Sequence, residues 1–227
     1  MNQAMEGKVV GDYRIGELLG KGNYGEVYSI FKSGGSEKLA VKVYSKSGLD
    51  MMENKDKIKS LIQNEVDSLK GIRHPNILRI HQYMESANSM YLIFQYCDGG
   101  DLSEYLIKQG NPLSESEVKR IAIEMVSGFL ELERRVIMHR DVKLENIMKH
   151  QNRYVLCDFG FSKLNAKTTN TKLGTPVTKA PEIMEGGNPY SNKCDVWSLG
   201  VTLYELLFGE DPWKMFRYTV KTDHPSR

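Results

Sequence analysis

A stretch of about 20 residues carries His139, Arg140, Asp141, Lys143 and Asn146, then Asp158 with Phe159 and Gly160 behind it. Either aspartate alone reads as an ordinary turn or cap residue. Together the stretch supplies a carboxylate base, a lysine, an amide and a second carboxylate. Phosphoryl transfer needs those groups: an acceptor for the proton of an incoming hydroxyl, a cation on the moving phosphate, and oxygen ligands for magnesium. Upstream, Gly20, Gly22 and Gly25 in GKGNYGEVY have G-x-G-x-x-G spacing. A dinucleotide-binding turn with that spacing wants a strand before it, a helix after it and an acid about 20 residues on. Here strand-like runs flank both sides, and the position 20 after Gly22 is Lys42, a base within LAVKVY. Glycines that let backbone N–H groups approach phosphate, followed by a lysine on the next strand, fit a nucleoside triphosphate clamp. A plain glycine-rich hairpin with a surface lysine is the alternative for this segment alone.

Those groups need a scaffold, and the hydrophobic pattern outlines one. Residues 13–44 alternate short β-type runs with glycine clusters, which predicts antiparallel strands. Ile58, Leu61, Ile62, Leu69 and Ile72 then follow a helical stripe, interrupted by Glu65. A carboxylate on a buried face costs several kcal/mol unless a cation faces it. Lys42 answers Glu65, since an ion pair explains both an inward strand lysine and an acid on an apolar stripe. Strand-like runs near residues 77–83 and 90–96 complete a sheet. Helices follow: Ser114 and Glu117 make a capping box before about five turns through Val118, Ile121, Ala122, Met125, Phe129 and Leu132. Short strands bracket residues 141–157, and residues 194–208 are apolar nearly all round, as in a central buried helix. Sheet first and helices second predict an α+β fold of two lobes, with the boundary near residues 96–100.

Composition narrows the class. The 227 residues are 40% hydrophobic and 26% charged, which is globular, and length alone allows one large or two small domains. With 31 basic against 29 acidic residues the formal charge is +2, which argues against binding nucleic acid or membranes through bulk charge. Cys97, Cys157 and Cys194 are too scattered for a disulfide framework or a zinc site. Residues 1–12 lack signal-peptide character and no apolar run approaches 18 residues, so a soluble protein of the cytoplasm, with the nucleus also open, is expected. The charge-dense residues 45–59 are the one linker-like region.

The ordered motifs resemble the eukaryotic protein kinase family from about Tyr13 to Phe216. The resemblance implies a strand-rich N-lobe with one helix over residues 13–96, after an N-terminal extension of residues 1–12, and a mostly helical C-lobe over residues 97–227. It implies that Gly20, Lys21, Gly22 and Gly25 cover the phosphates of ATP, that Lys42 holds the α and β phosphates, and that Glu65 holds Lys42. Val27, Ala40 and Met148 match the slot that sandwiches adenine, Phe94 the gatekeeper, and Gln95 to Cys97 the hinge. Gln95 stands where glutamate is usual. Asp141 resembles the catalytic base, Lys143 the γ-phosphate lysine, and Asn146 with Asp158 the ligands of Mg2+. Lys143 and Thr175, the latter in the GTP tripeptide, match the serine/threonine-specific class.

The same resemblance bears on regulation and substrates. Arg140 and Lys163 match basic residues that receive a phosphorylated activation-loop threonine. Thr171 sits at that phosphosite, with Thr168 and Thr169 nearby, which implies an upstream activating kinase. Asp101 and Glu145, counted with the nucleotide-site residues, match positions where related kinases place acids toward a basic residue N-terminal to the target hydroxyl. KLEN after the base resembles the calmodulin-dependent and AMP-regulated kinases. In the family Glu182 of the APE tripeptide pairs with an arginine far downstream, and this sequence ends at Arg227. The expectation is therefore a C-lobe short of its last helices, with Glu182 unpaired and one face of the 194–208 helix uncovered. That leaves two functional readings, an active protein kinase and a weakly active or inactive ATP-binding interaction module. A small-molecule kinase or a dinucleotide oxidoreductase would leave the segment through residues 180–182 unexplained.

Overall fold

The structure is a computed structural model and describes residues 5–22, 25–165, 168–169, 174–185 and 189–214. Six strands form one antiparallel sheet in the order β1-β2-β3-β4-β6-β5. They are β1 (Val9–Val10), β2 (Tyr13–Lys21), β3 (Glu26–Lys32), β4 (Lys38–Ser45), β5 (Ile80–Glu85) and β6 (Ser89–Gln95). Part of the expected N-terminal extension thus joins the sheet, with Val9 and Val10 opposite Arg14 and Tyr13. β4 and β6 are adjacent interior strands, where Val41, Leu92 and Ile93 are fully buried. Burial on both faces explains why β6 is a continuous apolar run instead of an alternating one.

Two helices lie between β4 and β5, where the sequence had suggested one helix after a linker. The first, α1 (Lys46–Asp50), starts at Ser45, whose side chain accepts from Gly48 N at 3.2 Å, and it buries Leu49. One cap and one buried leucine suffice to order half of that charged segment. The second, α2 (Lys55–Leu69), ends before Ile72, which is still buried but belongs to the loop that follows. That loop is the joint to the rest of the chain. Leu78 N donates to Leu156 O at 2.8 Å and Leu156 N to Asn76 O at 3.0 Å.

The remainder is mostly helical: α3 (Leu102–Gln109), α4 (Glu115–Arg134), α5 (Pro181–Glu185) and α6 (Lys193–Phe208). It also carries β7 (Ile137–Met138) paired with β10 (Lys163–Leu164), and the hairpin of β8 (Ile147–His150) and β9 (Arg153–Leu156). Ser114 caps α4 by accepting from Glu117 N at 3.3 Å. The carboxylate of Glu124 on α4 then clamps the joint, accepting from Asn76 Nδ2 at 2.9 Å and Tyr154 N at 2.7 Å. Helix α6 buries Leu199, Val201 and Leu206 but leaves Val196, Trp197 and Phe208 exposed at 62%, 39% and 59%. Among the described residues Glu182 has no ion-pair partner, and no described helix is long and apolar enough to cross a membrane.

Ile121 of α4 is fully buried in the main core, which runs from α2 through α4 to α6. Ile121→Ala should destabilise the fold by about 2 to 5 kcal/mol. A urea titration showing a loss well below that range would mean that the α4 core can collapse around the cavity.

Candidate active site

The site lies between the sheet and the helical half, around a cavity of about 270 Å³ lined by Gly22, Lys42, Glu65, Asp141, Lys143 and Asp158 among others. Its base is the loop after β7. Both oxygens of Asp195, on the first turn of α6, are spent there: Oδ2 accepts from His139 N at 2.8 Å and Oδ1 from Arg140 N at 2.7 Å. Arg140 takes a left-handed φ of 68°, unfavourable for any residue with a Cβ, and these bonds hold it there. Burial pushes the Asp195 carboxyl up, while His139 and the two amides oppose that rise. His139 accepts from Asp141 N at Nδ1 (3.3 Å), so Nε2 carries the proton donated to Cys157 O at 3.0 Å. Its ring meets Phe159 edge-on at 4.6 Å, which packs the Asp158 segment against the loop.

Asp141 is buried and bonded on both oxygens. Oδ1 accepts from Thr175 N at 3.0 Å and Thr175 Oγ1 at 2.7 Å, and Oδ2 accepts from Asn146 Nδ2 at 3.0 Å. Lys143 Nζ is 3.1 Å from Oδ2 and also donates to Thr175 Oγ1 at 3.0 Å. Glycine is required just before this threonine. Gly174 has φ 104°, and a Cβ there would stand 2.6 Å from Arg140 O. Asn146 Nδ2 is fixed twice, since it also donates to Asp141 O at 2.7 Å, and so its Oδ1 is left as an unengaged acceptor. Asp158 is exposed to the cavity, and among the described residues its side chain accepts one hydrogen bond, from Gly160 N at 3.3 Å. One amide oxygen and one carboxylate suit Mg2+, which keeps several waters and takes its other ligands from phosphate.

On the opposite wall Lys42 Nζ is 3.4 Å from Glu65 Oε2, joining β4 to α2. Burial works against the Lys42 ammonium, but Glu65, Tyr44 and Asp158 together hold its pKa well above the ordinary value. Burial raises the Glu65 carboxyl, and Lys42 opposes that rise without cancelling it. Tyr44, two residues beyond Lys42, donates to the same Glu65 oxygen at 3.4 Å. Sequence reading missed this contact, although an aromatic hydroxyl two positions along a strand points to the lysine's side of the sheet. Gly25 is as constrained as Gly174: a Cβ there would meet Val43 O at 2.6 Å. Gly22 N donates to Gly25 O at 2.8 Å and closes the turn between β2 and β3.

The remaining predicted site residues are distributed around this centre. Gly20 pairs with Val27, Val27 with Lys42, and Ala40 with Phe94, so these five lie across the neighbouring strands β2, β3, β4 and β6, of which Lys42 lines the cavity. Met148 bridges Asp101, and Gln95 and Cys97 lead from β6 to that contact. Burial pushes the Cys97 thiol up to about 12. Lys21 instead forms an exposed ion pair with Glu26 at 3.1 Å, across the hairpin. Asp101 caps α3 by accepting from Glu104 N at 2.8 Å, and Glu145 is exposed. Arg140 donates to Phe161 O and Ser162 O and also interacts with Tyr190, its Nη1 is buried without a hydrogen-bond partner among the described residues, and Lys163 on β10 is exposed. Thr171 lies outside the described residues, whereas Thr169 pairs with Tyr190 through both backbone amides.

Residues 13–224 match the family described as protein kinase domain. The chain belongs to that family. It is 32% identical over 208 residues to the SNF1-related protein kinase catalytic subunit alpha KIN12 of Arabidopsis thaliana, covering 90% of this chain and 41% of that relative. It is 35% identical over 207 residues to the serine/threonine-protein kinase SIK3 homolog of Danio rerio, covering 90% of this chain and 17% of that relative. The chain thus spans less than half the length of these relatives, which support the AMP-regulated side of the calmodulin-dependent and AMP-regulated resemblance drawn from the motifs.

Glu65 fixes a pH dependence whose sign follows from burial. Its folded pKa lies above 4.5, so the folded chain binds this proton more tightly than the unfolded chain. Its contribution to stability is therefore greatest in acid and is lost as pH rises through the folded pKa. The contact with Lys42 behaves oppositely, since protonation dissolves it. Any phosphoryl transfer should thus weaken on acidification through the same pH range in which Glu65's own contribution to stability rises, and Glu65→Gln should lose about 10²-fold in rate at neutral pH. A Glu65→Gln variant with wild-type rate would show that Lys42 is placed without the ion pair.

Proposed function

We propose that this chain transfers the γ-phosphate of ATP to serine and threonine hydroxyls of protein substrates, with Asp141 as the base. The observation that supports this most directly is the convergence of Asp141, Lys143, Asn146 and Thr175 on one side of a cavity that Lys42, Glu65 and Asp158 also line. Adenine lies between Val27 and Ala40 above and Met148 below, with Phe94 limiting depth and the backbone of Gln95 to Cys97 bonding the base. Gly20, Gly22 and Gly25 cover the phosphates, and Lys42 binds the α and β phosphates. Asn146 Oδ1 and Asp158 hold Mg2+, which neutralises charge on the phosphate oxygens when bound.

The contacts around Asp141 set the order of events. Lys143 now lies against Asp141 Oδ2 and Thr175 Oγ1. The γ-phosphate, with its larger charge, draws the ammonium away and exposes Oδ2 to the substrate hydroxyl. The hydroxyl oxygen attacks the γ-phosphorus as the bond to the β-phosphate oxygen breaks. The hydroxyl proton passes to Asp141, and ADP leaves. Thr175 holds the other carboxylate oxygen throughout.

Two finer readings belong to the same site. Arg140 Nη1, buried and unpartnered, offers charge-assisted hydrogen bonds to a phosphate on Thr171, placed there by an upstream kinase, with Lys163 as second cation. Glu145 also acts on Glu205, whose carboxyl is raised by burial first and then by Glu145 and Asp211. Three acids this close favour a basic residue in the substrate, with Asp101 on the same half of the chain.

Transfer from labelled ATP to a mixed peptide library tests the proposal. Wild type should label serine and threonine peptides, with preference for arginine upstream, and Asp141→Asn should lose about 10³-fold. ATP binding without transfer in the wild type would favour the interaction-module reading, and label surviving in Asp141→Asn would mean that another base or another enzyme acts. Thr171→Ala should lower turnover; equal turnover in phosphorylated wild type and the variant would remove the phosphosite.

A further inference from the structure

Ser68 and Ser162 are 94 residues apart, and both are buried, at 1% and 2% exposure. Their hydroxyl oxygens are 2.5 Å apart. The direction of that bond follows from a second contact. Ser162 Oγ gives its one proton to Phe159 O at 2.6 Å, so it accepts from Ser68. Buried hydroxyls gain little net stability over apolar side chains that fill the same space, but they do fix a direction.

The two ends of this bond lie on two separate elements that line the site, α2 and the segment after Asp158. Ser68 lies about one turn beyond Glu65 on α2, and Ser162 four residues beyond Asp158. Ser162 is also gripped from the far side, where Arg140 Nη2 donates to its carbonyl at 3.2 Å and Nε donates to Phe161 O at 2.7 Å. Among the described residues, this is the one hydrogen bond between α2 and residues 158–165. Elsewhere Gly160 faces Leu61 in an apolar contact, and the like charges of Glu65 and Asp158 repel. Apolar contact resists separation but is non-directional, so it leaves α2 free to slide.

We infer that the Ser68–Ser162 hydrogen bond is a strap that keeps α2 in register with the Asp158 turn, and so keeps Glu65 and Lys42 aligned with Asp158 during phosphoryl transfer. The inference rests on the proposed transfer reaction. Both serines are positioning residues, since neither lines the cavity. The strap also links Arg140, beside the base, to the ion pair on the opposite wall.

Steady-state kinetics of wild type, Ser68→Ala, Ser162→Ala and the double variant test this, read beside hydrogen exchange of α2. Each single change should lower kcat about 5- to 10-fold with the KM for peptide unchanged. The double variant should be no worse than Ser162→Ala, because Ser68→Ala removes only the bond that Ser162→Ala already removes, while Ser162→Ala also loses the bond to Phe159 O. Ser68→Cys, which keeps the shape and a weak donor, should recover part of the rate. Single effects that multiply in the double variant, or rates that follow the melting temperature alone, would overturn the strap. If wild type transfers no phosphate, the proposed reaction fails, but exchange still decides the strap. Faster exchange confined to α2 and residues 158–165 in Ser68→Ala upholds it, and unchanged or global exchange overturns it.

Discussion

Asp195 holds a carboxylate away from water and spends both oxygens on two consecutive backbone amides, those of His139 and Arg140. An unpaired buried carboxylate would cost several kcal/mol, so the loop and the helix need each other. The amides can point to one side chain only if Arg140 takes its left-handed turn, and that turn delivers Asp141 to Thr175 and Asn146. The same helix fixes the segment carrying Thr175, because Ser198 Oγ donates to Thr178 O at 2.8 Å. Helix α6 is thus the common support for the base and for the threonine that orients it. Its apolar sides bury it firmly enough to serve as that reference.

The opposite wall is built on a different balance. The Lys42–Glu65 pair is attached to a strand and a helix that meet mainly through apolar packing, and desolvation works against both charges. Such a pair adds little to stability relative to hydrophobic residues of similar volume. Its value is positional: it fixes Lys42 on β4 against α2 and faces the ammonium into the cavity.

Much of this was readable from residue types, and what escaped has a common cause. Glu65 on an apolar stripe required a cation, and Lys42 on an otherwise apolar strand required an anion, so the pair follows from burial alone. The cap at Ser114 and the central helix at residues 193–208 follow from local pattern. Helix α1 was hidden because one serine cap and one buried leucine outweigh a run of charges. Ile72 kept the helical spacing although the helix had ended at Leu69, since a buried loop residue can fall on the same stripe. Lys21 reads as part of a phosphate loop but spends its charge on Glu26 across the hairpin. Tyr44 is marked only by its place two residues from Lys42 on the same strand face, and Ser68 and Ser162 bear no local mark, because their meaning lies in partners that only the fold brings near.

The central claim is that the hold of Asp195 on the loop is what makes Asp141 competent. Asparagine at 195 keeps one acceptor but turns an NH2 group toward the second amide, so one of the two bonds must break. The single-turnover rate of transfer by Asp195→Asn at saturating ATP tests this most directly, with nucleotide affinity measured alongside. The account predicts a rate lower by about 10²-fold with affinity unchanged, because Lys42 and the glycine turn bind nucleotide from the other wall. A wild-type rate, or rate and affinity falling together, would contradict it.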